Sequence, residues 1–173
     1  MRWVECSLER HGGAILAILN EAIVHSTALY DYHPRPPEAM TTWFANKAAG
    51  KFPVIGVEND DGVLMGFASY GQFRAFPAYK YTAEHSVYVH QDFRGQGLGR
   101  LLLEALVQRA QEQGYHVVIG VIDADNQASI QLHERLGFVT TGVLRQVGFK
   151  FGRWLDVALM QKQLPTPHQP VDG

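Results

Sequence analysis

The sequence predicts an α/β fold, a mixed β-sheet with helices on both faces. Three observations carry that expectation. A chain of 173 residues with 46% apolar content suffices for one domain with an ordinary core. Segments of strand and helix periodicity follow one another as β-αα-βββ-α-β-α-ββ. Finally, an apolar strand-type run ending at His90 passes through a glycine-rich loop directly into an amphipathic pattern.

Residues 2–6 alternate well enough for a first strand. Ile15, Ile18, Leu19, Ala22 and Ile23 stand at helical spacing and predict a helix over 13–25. The polar and aromatic stretch 27–37 contains three prolines and reads as a loop. A second helix is expected over 37–49, Pro37 suiting its first turn. Strands at 53–58 and 64–70 flank Asn59-Asp60-Asp61-Gly62, a hairpin signal. Residues 74–79 read as an irregular connection and 81–90 as the central strand. The helix over 97–114 carries Leu98, Leu101, Leu102, Ala105, Leu106 and Ala110 in one stripe, and Gly114 ends it. A buried strand at 117–122 precedes a shorter helix at 126–136, with Asn126 as N-cap and Gly137 just past the end. Strands at 138–147 and 154–161 close the sheet. Residues 1–164 are expected to form a single domain, and the proline-punctuated tail 165–173 to be flexible.

Composition narrows the chemistry. Net charge is −2, from 15 basic and 17 acidic residues, with no basic block, so nucleic-acid binding is not expected. Cys6 is the only cysteine, which rules out an internal disulfide and a thiolate metal cage. No stretch of apolar residues is long enough for a membrane span, and a cytoplasmic location is the expectation. The histidines are scattered, His-Glu-x-x-His does not occur, and no metal is expected. Gly-x-Ser-x-Gly is also missing.

The run Tyr88-Val-His-Gln-Asp-Phe-Arg-Gly-Gln-Gly-Leu-Gly-Arg100 is the most informative in the chain. A strand, a glycine loop and a helix start aim free backbone N–H groups and the positive end of a helix dipole at one point, which favours phosphate oxygens. Glycine lets the ligand approach the backbone. The loop lacks the Gly-Lys-Ser/Thr of a Walker loop and the third glycine of G-x-G-x-x-G. What stands is Arg94-x-x-Gly97-x-Gly99, which resembles the signature of the GCN5-related N-acetyltransferases. The predicted element order resembles that family's fold over nearly the whole chain.

The resemblance implies that Arg94, Gly95, Gln96, Gly97, Leu98, Gly99 and Arg100 hold the pyrophosphate of acetyl-coenzyme A. Backbone groups of Val87, Tyr88 and Val89 would meet its pantetheine arm. Asn126, Ser129 and His133 share one helix face by spacing. The resemblance places that helix beside the same arm, with Asn126 and Ser129 as contacts; Asn126 can cap the helix as well. Glu84 matches the carboxylate that stands near the incoming amine, acting directly or through a water, although a salt-bridged strand residue is the plain alternative. His85 is a rival base. The family usually has a tyrosine where this chain reads Leu132-His-Glu-Arg-Leu-Gly-Phe138. The proton for a leaving thiol, whose pKa is about 8.5 if it behaves like cysteine, would come from His133 or a water, unless His133 only lines the channel.

The segments 69–74, 82–90 and 146–156 resemble one branch, the phosphinothricin and methionine-sulfoximine acetyltransferases. That implies acetylation of the α-amine of a small amino acid or toxic analogue by direct attack. Substrate contacts map to Arg74, Ala75, Phe76, Glu84, His85 and Ser86, with Arg74 suited to a carboxylate. Tyr30, Phe73 and Phe76 could wall a pocket or belong to the core. A homodimer is also implied, with Lys150, Arg153 and Trp154 near the partner. Two rivals stay open, a protein N-terminal or lysine acetyltransferase and a non-catalytic acetyl-CoA-binding module.

Overall fold

In a computed structural model that describes residues 1–172, the elements run β1 (Arg2–Glu5), α1 (Leu8–His25), α2 (Glu38–Ala49), β2 (Val54–Glu58), β3 (Leu64–Gln72), β4 (Thr82–Val89), α3 (Leu98–Glu112), β5 (Val117–Asp123), α4 (Gln127–Arg135), β6 (Val139–Lys150) and β7 (Arg153–Gln163). The expected order is observed. The strands form one sheet in the order β1-β2-β3-β4-β5-β7-β6. Single-turn 3₁₀ segments stand at Pro77–Tyr79 and Gln91–Phe93. The chain divides into two compact units, residues 1–71 with 86–106, and residues 72–85 with the chain from 107 onward.

In the first unit, α1 begins five residues earlier than expected. Ser7 is its N-cap, accepting a hydrogen bond from the Arg10 N–H, and Glu9 sits in the first turn. The pair Gly12-Gly13 hides this start from a propensity reading, because glycine is a poor helix residue. Gly12 is buried, and a Cβ there would meet Leu8 Cδ1 at 3.0 Å. Ile15, Ile18 and Leu19 of α1 pack with Met40, Val54, Leu64 and Phe67, and Tyr88 of β4 joins them. Arg2, Arg10 and His11 converge on the buried carboxylate of Glu58, and the Arg2 hydrogen bond is the largest influence holding it below its ordinary pKa.

In the second unit, β5 pairs antiparallel with β7 along its length, from Val117↔Gln163 to Asp123↔Val157. Its parallel ladder with β4 is short: Thr82↔Val117, Ala83↔Val118 and Glu84↔Ile119, and there it ends. The β6–β7 hairpin is longer than expected. Gly148↔Leu155, Phe149↔Trp154 and Lys150↔Arg153 pair up to a two-residue turn. Phe151 and Gly152 both take positive φ, 53° and 73°, as a tight hairpin of that length requires. Beyond β7 the tail is tied back: the Thr166 hydroxyl donates to Tyr115 O, and Val171 N donates to the Tyr81 hydroxyl.

Candidate active site

The glycine loop lies in the first unit. β4 ends at Val89, and His90 N donates to Met65 O at 2.8 Å, fixing the strand's exit. Gly95 and Gly97 take φ of 77° and 79°, and neither would-be Cβ has any atom within 4 Å. Glycine is therefore required here by backbone conformation, and the space beside it is open. Leu98 anchors the start of α3 in the core, and no acidic residue stands in that first turn to compete for an anion. Arg94 is exposed; its guanidinium is ion-paired with Glu21, and its Nε donates to Val89 O at 3.3 Å, so it braces the loop. Gln96 is exposed, and Arg100 pairs with Glu104 one turn on. Val87, Tyr88 and Val89 are half-buried on β4. The Tyr88 ring lies 5.5 Å from that of Phe67. Tyr30, in the loop after α1, is partly exposed.

Glu84 occupies the last rung of the parallel ladder, in the second unit. Burial raises its carboxyl pKa above the ordinary value, and the charge of Arg74 partly opposes the rise. A carboxylate with a raised pKa is a better proton acceptor than an exposed one. The Arg74 guanidinium sits 4.5 Å over the Phe73 ring and donates once, to Phe73 O. Its other N–H groups have no protein partner among the described residues. Ala75 and Phe76 are exposed on the same connection, Phe76 at 72%. Phe73 packs edge-on with Tyr79 rather than into a core. Ser86 is half-buried one residue past His85.

The same unit brings together residues that spacing could not join. Asn126 caps α4, its Oδ1 accepting from Ser129 N at 3.1 Å, which leaves its Nδ2 free of protein partners among the described residues. Ser129 O in turn lies 2.7 Å from His133 Nδ1. A carbonyl only accepts, so His133 carries its proton on Nδ1. His133 Nε2 lies 3.0 Å from His85 Nε2, and with its own proton on Nδ1 it accepts from His85 Nε2–H. The rings stack at 4.9 Å, and Phe138 stands edge-on to both. Both rings cover Gly120, where a Cβ would come within 2.8 Å of His85 Nε2. Burial lowers the pKa of both, His85 to about 3 with His133 adding to the effect. His85 Nδ1 is out of reach of solvent and has no hydrogen-bond partner. An unmet buried acceptor of this kind costs about 1–3 kcal/mol.

The acetyltransferase (GNAT) family model matches residues 19–138. The chain belongs to that family. GNAT enzymes transfer the acetyl group of acetyl-CoA to an amine, and this chain is an N-acetyltransferase. An L-methionine sulfoximine/L-methionine sulfone acetyltransferase of Pseudomonas aeruginosa is 46% identical, over 90% of this chain and 91% of its own. A phosphinothricin acetyltransferase from Sinorhizobium meliloti, solved in complex with acetyl-CoA, is 30% identical with a TM-score of 0.92, covering 98% of this chain and 91% of that one. A ribosomal-protein-alanine N-acetyltransferase structure from Brucella melitensis is 41% identical with a TM-score of 0.92, covering 95% of this chain and 100% of that one.

The GNAT cosubstrate fits what the residues offer. The loop supplies glycine backbone with open space and the start of a 15-residue helix, the requirements of a diphosphate. No group of three or more metal-ligating side chains gathers among the described residues. The His85–His133 contact and the glycine beneath it escaped the sequence reading. Forty-eight residues separate the two histidines, and only strand and helix packing joins them.

Proposed function

We propose that this N-acetyltransferase acetylates the α-amine of a small amino acid or toxic analogue, of the methionine sulfoximine, methionine sulfone or phosphinothricin kind, by direct attack in a ternary complex. The observation that carries it is Glu84, a half-buried carboxylate of raised pKa with the free guanidinium N–H groups of Arg74 as its charge neighbour. When bound, acetyl-CoA supplies the activated acetyl group. The loop 94–100 holds the diphosphate, Val87–Val89 and Asn126 meet the pantetheine arm, and Arg74 takes the substrate carboxylate. An α-amine has a pKa of about 7.7–8.0, so near neutrality Glu84 has only to take the last proton, directly or through a water. Orientation does the remainder of the work. Neutral His133 has both ring nitrogens engaged, which favours a water as proton donor to the thiol.

The relatives named for amino-acid analogues support a free amino acid, and the Brucella likeness keeps a protein N-terminus as a second reading. The protein is further proposed to be cytoplasmic; no described helix is long and apolar enough to cross a membrane. Homodimerisation through the β6–β7 hairpin is proposed from its exposed Val139, Val147, Phe149 and Trp154. Incubation with acetyl-CoA, a panel of free amino acids and analogues, and an alanine-starting peptide, read by mass, decides the acceptor. One added acetyl on methionine sulfone or phosphinothricin is the expected result. Modification of the peptide alone would replace this reading, and tight binding without product would make the protein a sensor.

A further inference from the structure

We propose that Glu21, on α1, is a positioning residue for the coenzyme: it holds the Arg94 guanidinium away from phosphate binding and makes it the clamp that keeps the glycine loop in shape. The proposal rests on the reading of residues 94–100 as the diphosphate loop and adds to it a residue 73 positions away in the chain.

The loop has little stiffness of its own. Gly95 and Gly97 both take positive φ, and glycine gives up more conformational freedom on ordering than any other residue. Backbone N–H groups serve an anion best when they are aimed before it arrives, so a loop that binds through them gains from being held. At its far end, Leu98 is sunk in the core. At its near end, the side chain of Arg94 holds it. Nε donates to Val89 O at 3.3 Å, back to the strand that the loop leaves. Nη1 donates to Glu21 Oε1 at 3.4 Å, and Nη2 donates to Glu21 Oε2. All three guanidinium nitrogens are thus donating, and one side chain links β4 to α1.

Glu21 is a firm anchor. Its neighbours Leu19, Ala22 and Ile23 are buried, and its own side chain is 20% exposed against 50% for Arg94. Water therefore screens this pair less than a fully exposed one. A guanidinium whose charge is met by a carboxylate offers a diphosphate little net attraction. The sign of one substitution separates this role from that of a direct phosphate ligand. Were Arg94 a phosphate ligand that Glu21 only parks, removing the Glu21 charge would release it and tighten binding. As a clamp, Arg94 loses its hold in the same variant, and binding weakens.

Calorimetric titration of the whole protein with coenzyme A tests the sign. Glu21→Gln should weaken binding roughly three- to tenfold, the worth of about one hydrogen bond. In acetyl transfer the loss should show in KM for acetyl-CoA rather than in kcat, which a general loss of structure would not produce. Arg94→Lys keeps the charge but cannot hold Glu21 and Val89 O together, so it should weaken binding as well. Once Glu21 is replaced, Arg94→Lys should add less than it does alone, because both changes break one clamp. Should Glu21→Gln unfold early, Arg94→Lys carries the same test. Tighter or unchanged coenzyme A binding in Glu21→Gln overturns the proposal, and so do effects of the two variants that simply add. An indifferent Glu21→Gln beside a Gly97→Val variant that no longer binds would keep the loop and drop Glu21. Full affinity in Gly97→Val would remove the loop reading itself.

Discussion

At the scale of single residues, the place of Glu84 in Thr82-x-Glu-His-Ser made it a candidate base, but its electrostatics could not be read there. The charge of Arg74, ten residues earlier in the connection between β3 and β4, acts on it. A carboxylate base works ionised, so activity is present above its pKa and lost below. With Glu84 raised by burial, the acid limb of kcat/KM should lie above the ordinary carboxylate range. Arg74→Ala removes the opposing charge and should move the limb to still higher pH. Glu84→Gln should abolish it and lower kcat by roughly 10²–10⁴-fold. A limb that stays in place in both variants would show that another group is the base. His133 shows the opposite lesson. Its identity invited an acid role, and only the fold shows that Ser129 O and the His85 ring occupy its two ring nitrogens.

At the scale of elements, strand, loop and helix around 82–112 were readable because glycine positions and hydrophobic period agree there. Gly97 has no neighbour for a side chain to strike, so replacing it tests backbone conformation and ligand access alone. Valine at φ 79° is strained, and its branched side chain fills the space proposed for the diphosphate. Titration calorimetry on Gly97→Val should therefore show loss of coenzyme A binding. Full affinity would mean that the anion sits elsewhere. Elements with weaker local signals were misjudged in length. The α1 start was masked by two glycines. The hairpin end was masked because Phe151 adopts a left-handed conformation that its residue type does not announce.

At the scale of the molecule, acid should destabilise the protein in stages. His85 and His133 have lower pKa values folded than unfolded, so the unfolded chain binds more protons as pH falls below the ordinary histidine value of 6.5. Their contribution is complete above that value and declines toward about 3, the folded value of His85. Glu58 and Asp156, held low by Arg2 and by the Gln146 N–H, extend the decline through the carboxylate range. The denaturant midpoint should thus be lower at pH 5 than at pH 7, and less so in His85→Phe; equal midpoints would contradict the buried pair. Sequence alone was enough for the element order, and it was enough to propose the glycine loop and Glu84 as site candidates, because those readings follow from hydrophobic period and from residue types within a dozen positions. The tertiary structure decided the point where the β4–β5 ladder stops, the tautomers of the histidine pair and the company of Glu84. Those depend on contacts between atoms far apart along the chain, where local propensity carries no information.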